Sequence, residues 1–287
     1  LSSLLGKLVD RYAPPLARLY RTARDLRAPA LGADAATLPN GVRLRGESQD
    51  SVDHRMRSGE IPLFARALAR CETLVDVGSN VGLFACLGAA SGVHTIAIEP
   101  APGNVRLLCH NVRANGLTGV EVIPLGVADR IGIEALYGSG QGASLIHGWG
   151  GIRANSESLI PVNTLDGLLG ERLRGRRLLI KIDVEGAELS VLEGARGMLS
   201  APASPELLVE IGFEENFDGR INPTYVETFE MLFGLGFDCL AVEAGERVDI
   251  LAVRKWVERR KRDFYALNFF FGRPAVIEAE IESRTER

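Results

Sequence analysis

The hydrophobic residues of this chain fall into short, nearly continuous runs separated by amphipathic stretches. The clearest runs are Thr73-Leu74-Val75-Asp76-Val77, Thr95-Ile96-Ala97-Ile98, Val120-Glu121-Val122-Ile123, Leu178-Leu179-Ile180-Lys181-Ile182-Asp183 and Leu207-Leu208-Val209-Glu210-Ile211. Runs this short and this unbroken predict strands buried on both faces, as in a parallel sheet. Helices are expected over about 82–91 and again after Pro100, where Val105, Leu108 and Val112 share a face and Gly116 is a C-terminal stop. Leu189, Leu192 and Leu199 form a further stripe, followed by a helix at about 223–235 and a strand at 237–242. The basic stretch from Arg254 to Arg262 reads as an exposed helix, and the aromatic run Phe264 to Phe271 as the last strand. Such alternation predicts an α/β fold with a mainly parallel sheet and right-handed crossovers.

The pattern before Thr73 is different. Residues 1–36 read as Arg-rich helix interrupted at Pro14-Pro15, and Thr37 to Leu44 as a short hairpin turning at Asn40-Gly41. A helix over about 61–69 carries Pro62 in its first turn. The expected organisation is an N-terminal helical extension with a hairpin over 1–70, covering one end of a main domain over 71–287. Residues 138–151 are rich in glycine and carry little helix or strand signal. Long irregular segments inside a domain are often lids or substrate loops, and Trp149 and His147 are unusual residues to leave there unused.

The candidate chemistry lies where strands end. Asp76 closes the first run, and a small-residue turn with Gly78, Asn80 and Gly82 leads into the first helix. Glycines there remove side chains where a ligand must approach the backbone. Such turns open at the carboxyl ends of parallel strands, at the switch point of the sheet. Glu99, after the second run, is placed to accept hydrogen bonds from two ribose hydroxyls. Asp183 ends the fourth run, and Glu210 stands one residue before the end of the fifth. A dinucleotide site would show G-x-G-x-x-G with its helix N-terminus on a pyrophosphate. Here the spacing is Asp76-x-Gly78-x-x-x-Gly82, and the acid would repel a pyrophosphate but suit an ammonium. These residues favour S-adenosylmethionine over NAD, with an NAD-dependent oxidoreductase and a non-catalytic scaffold as alternatives.

Composition narrows the partners. The 287 residues carry a formal net charge of −4 and a 46% hydrophobic fraction, so no overall basic charge points to nucleic acid. No apolar run approaches the length of a bilayer span, and no secretory signal is seen. Cys71, Cys86, Cys109 and Cys239 have no paired spacing, and read as reduced thiols of a cytoplasmic protein. The Arg-rich first helix and the aromatic last strand could each serve a homodimer.

Two stretches carry a family resemblance. One is Leu74-Val75-Asp76-Val77-Gly78-Ser79-Asn80-Val81-Gly82 with Glu99-Pro100. The other is Val162-Asn163-Thr164-Leu165-Asp166, then Ile180-Lys181-Ile182-Asp183-Val184-Glu185-Gly186-Ala187-Glu188 and Val191-Leu192-Glu193-Gly194-Ala195. Over about residues 73–272 the chain resembles the FkbM-type S-adenosylmethionine-dependent methyltransferases. The resemblance implies a class I methyltransferase Rossmann-like fold: a seven-stranded, mostly parallel sheet with an antiparallel final strand and helices on both faces. It implies O-methylation of a hydroxyl on a sugar, polyketide or other secondary metabolite, or a glycan, with S-adenosylhomocysteine as product. Asp76, Gly78, Asn80 and Gly82 would cradle the methionine end. Glu99 would bind the ribose, with Pro100 and Asn104 in its loop, and Ala128 and Asp129 would meet the adenine. Asp183 would stand where donor and acceptor meet. The base candidates are Asp183, Glu210, Glu185 and His147. Glu185 and Glu188 could instead cap the following helix. Lys181, odd inside a buried strand, could pair with a neighbouring acid. No metal ligands are assigned, and a divalent ion on Asp183, Glu185 and Glu210 is conceivable but not expected.

Overall fold

A computed structural model describes residues 35–151, 157–217 and 219–285. The Arg-rich N-terminal helix expected over 1–36 falls almost entirely outside the described residues. The expected hairpin is present as β1 (Ala35–Thr37) and β2 (Arg43–Arg45), paired antiparallel. Two helices follow. The first, α1 (Gln49–Arg57), is capped by Ser48, whose side chain accepts from the Ser51 N–H, and buries only Val52. The second, α2 (Glu60–Leu68), buries Ile61, Leu63, Phe64, Ala67 and Leu68.

The core alternates as the hydrophobic runs predict: β3 (Thr73–Val77), α3 (Leu83–Ala90), β4 (His94–Ile98), α4 (Pro102–Ala114) and β5 (Val120–Ile123). A small excursion comes next, with β6 (Gly126–Val127), β7 (Gly132–Tyr137) and β8 (Glu157–Asn163). The chain returns through β9 (Leu178–Ile182), α5 (Glu188–Glu193), α6 (Arg196–Leu199) and β10 (Glu206–Glu210). It closes with α7 (Tyr225–Gly234), β11 (Asp238–Ala241), β12 (Glu246–Val248), α8 (Ile250–Arg259), β13 (Asn268–Gly272) and α9 (Pro274–Thr285).

The large sheet runs β12-β11-β13-β10-β9-β3-β4-β5. Strands β5, β4, β3, β9 and β10 are mutually parallel, and β13 lies antiparallel between β10 and β11. This is the Rossmann-like sheet of a class I methyltransferase. Beyond its seven strands, a short eighth, β12, pairs antiparallel on the edge of β11. The chain winds outward from β3 through β4 to β5, then returns to β9 on the other side of β3. That reversal opens a crevice at the carboxyl ends of β3 and β9, where such sheets bind ligands.

Strand periodicity sorts the core onto two faces. Val75, Ile180, Val209 and Phe269 pack into one layer with α5, α7 and α8. Leu74, Leu179, Leu208 and Phe270 pack into the other with Phe64 of α2, Phe84 of α3 and Ile277 of α9. Two residues further along each of those strands, the second face turns polar: Asp76 follows Leu74, Lys181 follows Leu179 and Glu210 follows Leu208. Because Asp76 and Leu208 are both register partners of Lys181, these side chains line up across the sheet beside the crevice.

Candidate active site

The crevice is a solvent-open cleft with a cavity volume of about 150 Å³. One side is built by the β3 turn. Gly78 has a φ of +80°, and a Cβ added to it would come within 1.9 Å of the Asp183 carbonyl oxygen. Only glycine lets the ends of β3 and β9 approach this closely. Asn80 adopts φ +50°, a left-handed conformation for a side-chain-bearing residue. Its backbone N–H donates to Glu99 Oε2 at 2.8 Å. The Ala101 N–H and Asn104 Nδ2 donate to Glu99 Oε1 at 2.9 and 3.1 Å. Glu99 is buried and fixed, with one lone-pair site left on the oxygen that takes a single donor. Burial raises its pKa, and those three donors counter the rise.

A second wall comes from the small sheet and the glycine-rich segment. Strands β6, β8 and β7 form a separate three-stranded sheet, which the sequence patterning did not predict. Its inner face carries Leu136, Ile160 and Val162, packed on Ala101 and Ala128. Leu136, Ala143 and Leu145 line the cleft together with Pro100, Leu125 and Val127 and give it an apolar part. The segment expected to be a lid or substrate loop lines the cleft through Gly140, Ala143 and Leu145. It is tied down by Asn104 Nδ2 donating to the Gly140 carbonyl at 3.0 Å and by Ser144 Oγ donating to the Glu185 carbonyl at 2.6 Å. Trp149, buried on Phe217, donates from Nε1 to Glu185 Oε2 at 2.7 Å. A Cβ on Gly186 would collide with the Trp149 ring at 2.4 Å, so the indole seats only over a glycine.

The far end of the cleft is acidic. Asp183, Glu185 and Glu210 line it, with Arg55, Ser51 and Glu47 opposite, spaced along one side of α1 and the turn before it. Arg55 Nη1 donates to both oxygens of Glu60, at 3.0 and 2.8 Å. Burial and the neighbouring Asp183 push Glu210 well above the usual carboxylate range and raise Glu185 as well. Asp76 lies below the glycine turn, only 2% exposed, with Oδ2 unpartnered among the described residues. Burial pushes its carboxyl up to about 7, against the lowering pull of Lys181. Burial likewise brings Glu188 to about 7, although its Oε1 accepts from the Gly186 N–H at 2.9 Å.

The structure therefore brings Gly78, Asn80, Glu99, Pro100, Asn104, Asp183, Glu185 and Glu210 to one cleft. Asp76 and Gly82 support its floor without lining it, and Gly82 starts α3 at φ +95° against Leu108. Ala128 and Asp129 are not on the cleft wall. Ala128 is buried under Gly194, while Asp129 accepts from Ser190 Oγ at 3.2 Å and pairs with Arg130. His147 is exposed, packed edge-on against Tyr137 at 5.1 Å, and does not line the cleft. Among the described residues, no three His, Cys, Asp or Glu side chains are grouped to hold a metal ion, and no helix is long and apolar enough to cross a membrane. All four cysteines are free thiols, with Cys86 and Cys239 buried.

The sheet order, the glycine turn at the switch point and the acid at the tip of β4 thus meet at one cleft. Residues 76–262 match the methyltransferase FkbM domain, and the chain belongs to that family. It is similar to the hexuronic acid methyltransferase AglP of Haloferax volcanii, with 31% identity over 154 residues; the match covers 52% of this chain and 60% of that protein. Among solved structures it is similar to a SAM-dependent methyltransferase from Agrobacterium tumefaciens, with 10% identity, 72% of this chain and 60% of the other covered, and a TM-score of 0.40. It is also similar to a ribosomal protein L11 methylase from Lactobacillus delbrueckii subsp. bulgaricus, with 9% identity, 79% and 80% covered, and a TM-score of 0.42.

Proposed function

We propose that the chain transfers a methyl group from S-adenosylmethionine to an oxygen of a sugar-type acceptor. The observation that carries this reading is Glu99. Its carboxylate is fixed by three donors, keeps acceptor capacity, and lines one cleft with the glycine turn and the apolar part. That arrangement suits a ribose flanked by an amino-acid tail and an adenine. Gly78 and Asn80 would hold the tail, Glu99 the ribose, and Pro100, Leu125, Val127, Leu136, Ala143 and Leu145 the base. Asn80 Oδ1, buried and without a protein partner among the described residues, is a free acceptor for an ammonium on that tail.

S-adenosylmethionine, when bound, supplies a methyl group on a cationic sulfur. The carboxylates at the far end of the cleft favour a cationic ligand over a neutral one. The main catalytic contribution of the chain is alignment, with the cleft walls holding acceptor and donor in line. Asp183 is the base that takes the proton from the acceptor hydroxyl. Glu210, pushed toward its protonated form, can donate a hydrogen bond to the same acceptor. Ser51, Arg55 and Glu47 give this end polar groups suited to a polyhydroxylated ligand, and the similarity to AglP supports a sugar acid as the acceptor class.

The test is transfer of labelled methyl from S-adenosylmethionine to oligosaccharides that carry a hexuronic acid. Asp183→Asn should lower kcat by roughly 10²–10⁴-fold, the usual worth of a positioned base. Its S-adenosylhomocysteine affinity should stay within about threefold, since fixing the ribose and base does not depend on Asp183. Wild-type turnover in Asp183→Asn would remove Asp183 as the base.

A further inference from the structure

Lys181 has no part in the reading above, yet it lies inside the sheet directly against Asp183. It is fully buried on a strand whose every residue is buried, and its Nζ has no hydrogen-bond partner among the described residues. Burying an ammonium is costly, and an apolar side chain would fill the position without that cost. The ammonium is 3.5 Å from Glu60 Oε1 and 3.7 Å from Asp183 Oδ2, and 5.3 Å from the centre of the Phe84 ring. Glu60 is bound on its other side by Arg55. A continuous charged chain, Arg55–Glu60–Lys181–Asp183, thus runs from α1 through α2 to the end of β9.

We propose that Lys181 is a positioning residue: clamped against Glu60, its buried ammonium holds the Asp183 carboxylate at the acceptor end of the cleft and offsets the negative charge gathered there. The inference rests on the role given to Asp183 above. The charged and titratable groups around the pair come from the elements packed on it: Arg55 of α1, Glu60 of α2, Asp76 of β3, Glu99 just after β4, Glu185 just before α5, Glu188 of α5, and Glu210 of β10. Burial pulls Lys181 down, but Asp183, Glu60 and Glu210 together outweigh it and keep the ammonium charged. Lys181 in turn lowers both Asp76 and Glu210 against the rise caused by burial. Without that positive partner, these acids hold their protons to higher pH.

The test needs no acceptor. S-adenosylmethionine carries a positive sulfur and S-adenosylhomocysteine does not, so the ratio of their affinities reads the charge of the acid cluster. Calorimetric titration with both ligands from pH 5.5 to 9 follows the point at which preference for the cation sets in. In Lys181→Met that midpoint should move up by about one pH unit, roughly a tenfold loss of preference at the wild-type midpoint. S-adenosylhomocysteine should still bind within about threefold, which reports an intact cleft. Glu60→Gln removes an acid that raises Glu210, and its midpoint should move down. An unmoved midpoint in a variant that still binds S-adenosylhomocysteine overturns the proposal. If Lys181→Met binds neither ligand, Glu60→Gln decides, and an unmoved or raised midpoint there overturns it. A wild-type protein that binds neither ligand overturns the methyltransferase reading itself, and the proposal with it.

Discussion

Replacing Gly78 with Ala lowers the melting temperature by roughly 3–10 °C and weakens S-adenosylmethionine binding at least about tenfold. Two costs add. A φ of +80° strains any residue with a Cβ, by about 1–2 kcal/mol. The new methyl would also stand 1.9 Å from the Asp183 carbonyl oxygen and 2.8 Å from its carbon, and neither is a flexible side-chain end that can turn away. The ends of β3 and β9 must separate, at a further cost of about 1–3 kcal/mol. That separation opens the floor of the cleft beneath both Asn80 and Asp183. Gly92→Ala is the control, because Gly92 has a φ of +78° with nothing within 4 Å of its added Cβ. It should show the strain alone and leave ligand affinity unchanged. Thermal unfolding and calorimetry on the two variants check both halves of the expectation.

The ligand-free protein should be more stable at pH 5 than at pH 8, with Asp76 contributing about 2–3 kcal/mol of the difference. Asp76 keeps its proton up to about pH 7 in the folded chain, because burial penalises the charged form. In the unfolded chain an aspartate loses its proton near pH 4. Between those values the folded state carries the extra proton, so stability falls as pH rises through the window. Glu188, also brought to about 7 by burial, acts in the same direction. Surface acids lowered by arginine partners, such as Glu121 beside Arg172, lose their contribution only at lower pH, outside this window. Urea unfolding at the two pH values, repeated on Asp76→Asn, isolates the contribution. The variant should lose the Asp76 share of the slope and match or exceed the wild type at pH 8. An unchanged slope would mean that Asp76 is ionised in the folded chain.

The core and the end of the cleft built by the glycine turn were legible because one constraint wrote both. A strand buried on two faces must be apolar throughout, so Asp76, Lys181 and Glu210 stood out against β3, β9 and β10. A backbone that must approach a neighbouring strand must be glycine, so Gly78 stood out in the turn. The other walls follow weaker rules. The helix α1 buries only Val52 and presents no apolar stripe, so neither the helix nor Arg55 and Ser51 could be read from periodicity. Strands β7 and β8 carry exposed Ile133 and Leu159 on their outer face, 70% and 75% accessible, which blurs the inside-outside alternation that marks a strand. The apolar lining residues Leu136, Ala143 and Leu145 were hidden for the same reason, in or beside a segment dominated by glycine. Trp149 did signal that this segment was in use. Its indole reaches Glu185, while His147 two residues earlier faces solvent. Asp129 sits just past β6, yet Ser190 and Arg130 occupy its carboxylate outside the cleft. Position along the fold located the neighbourhood of the apolar part of the cleft, and side-chain packing decided which residues line it.

The central claim is that the cleft around Glu99 holds S-adenosylmethionine. Calorimetric titration of the wild type and of Glu99→Ala with S-adenosylmethionine, S-adenosylhomocysteine and NAD tests it most directly. The account predicts that the two adenosyl ligands bind the wild type, that NAD does not, and that Glu99→Ala loses at least about tenfold in affinity for both adenosyl ligands with the loss of charge-assisted hydrogen bonds. Binding of NAD in place of the adenosyl ligands, or full adenosyl affinity in Glu99→Ala, would contradict it.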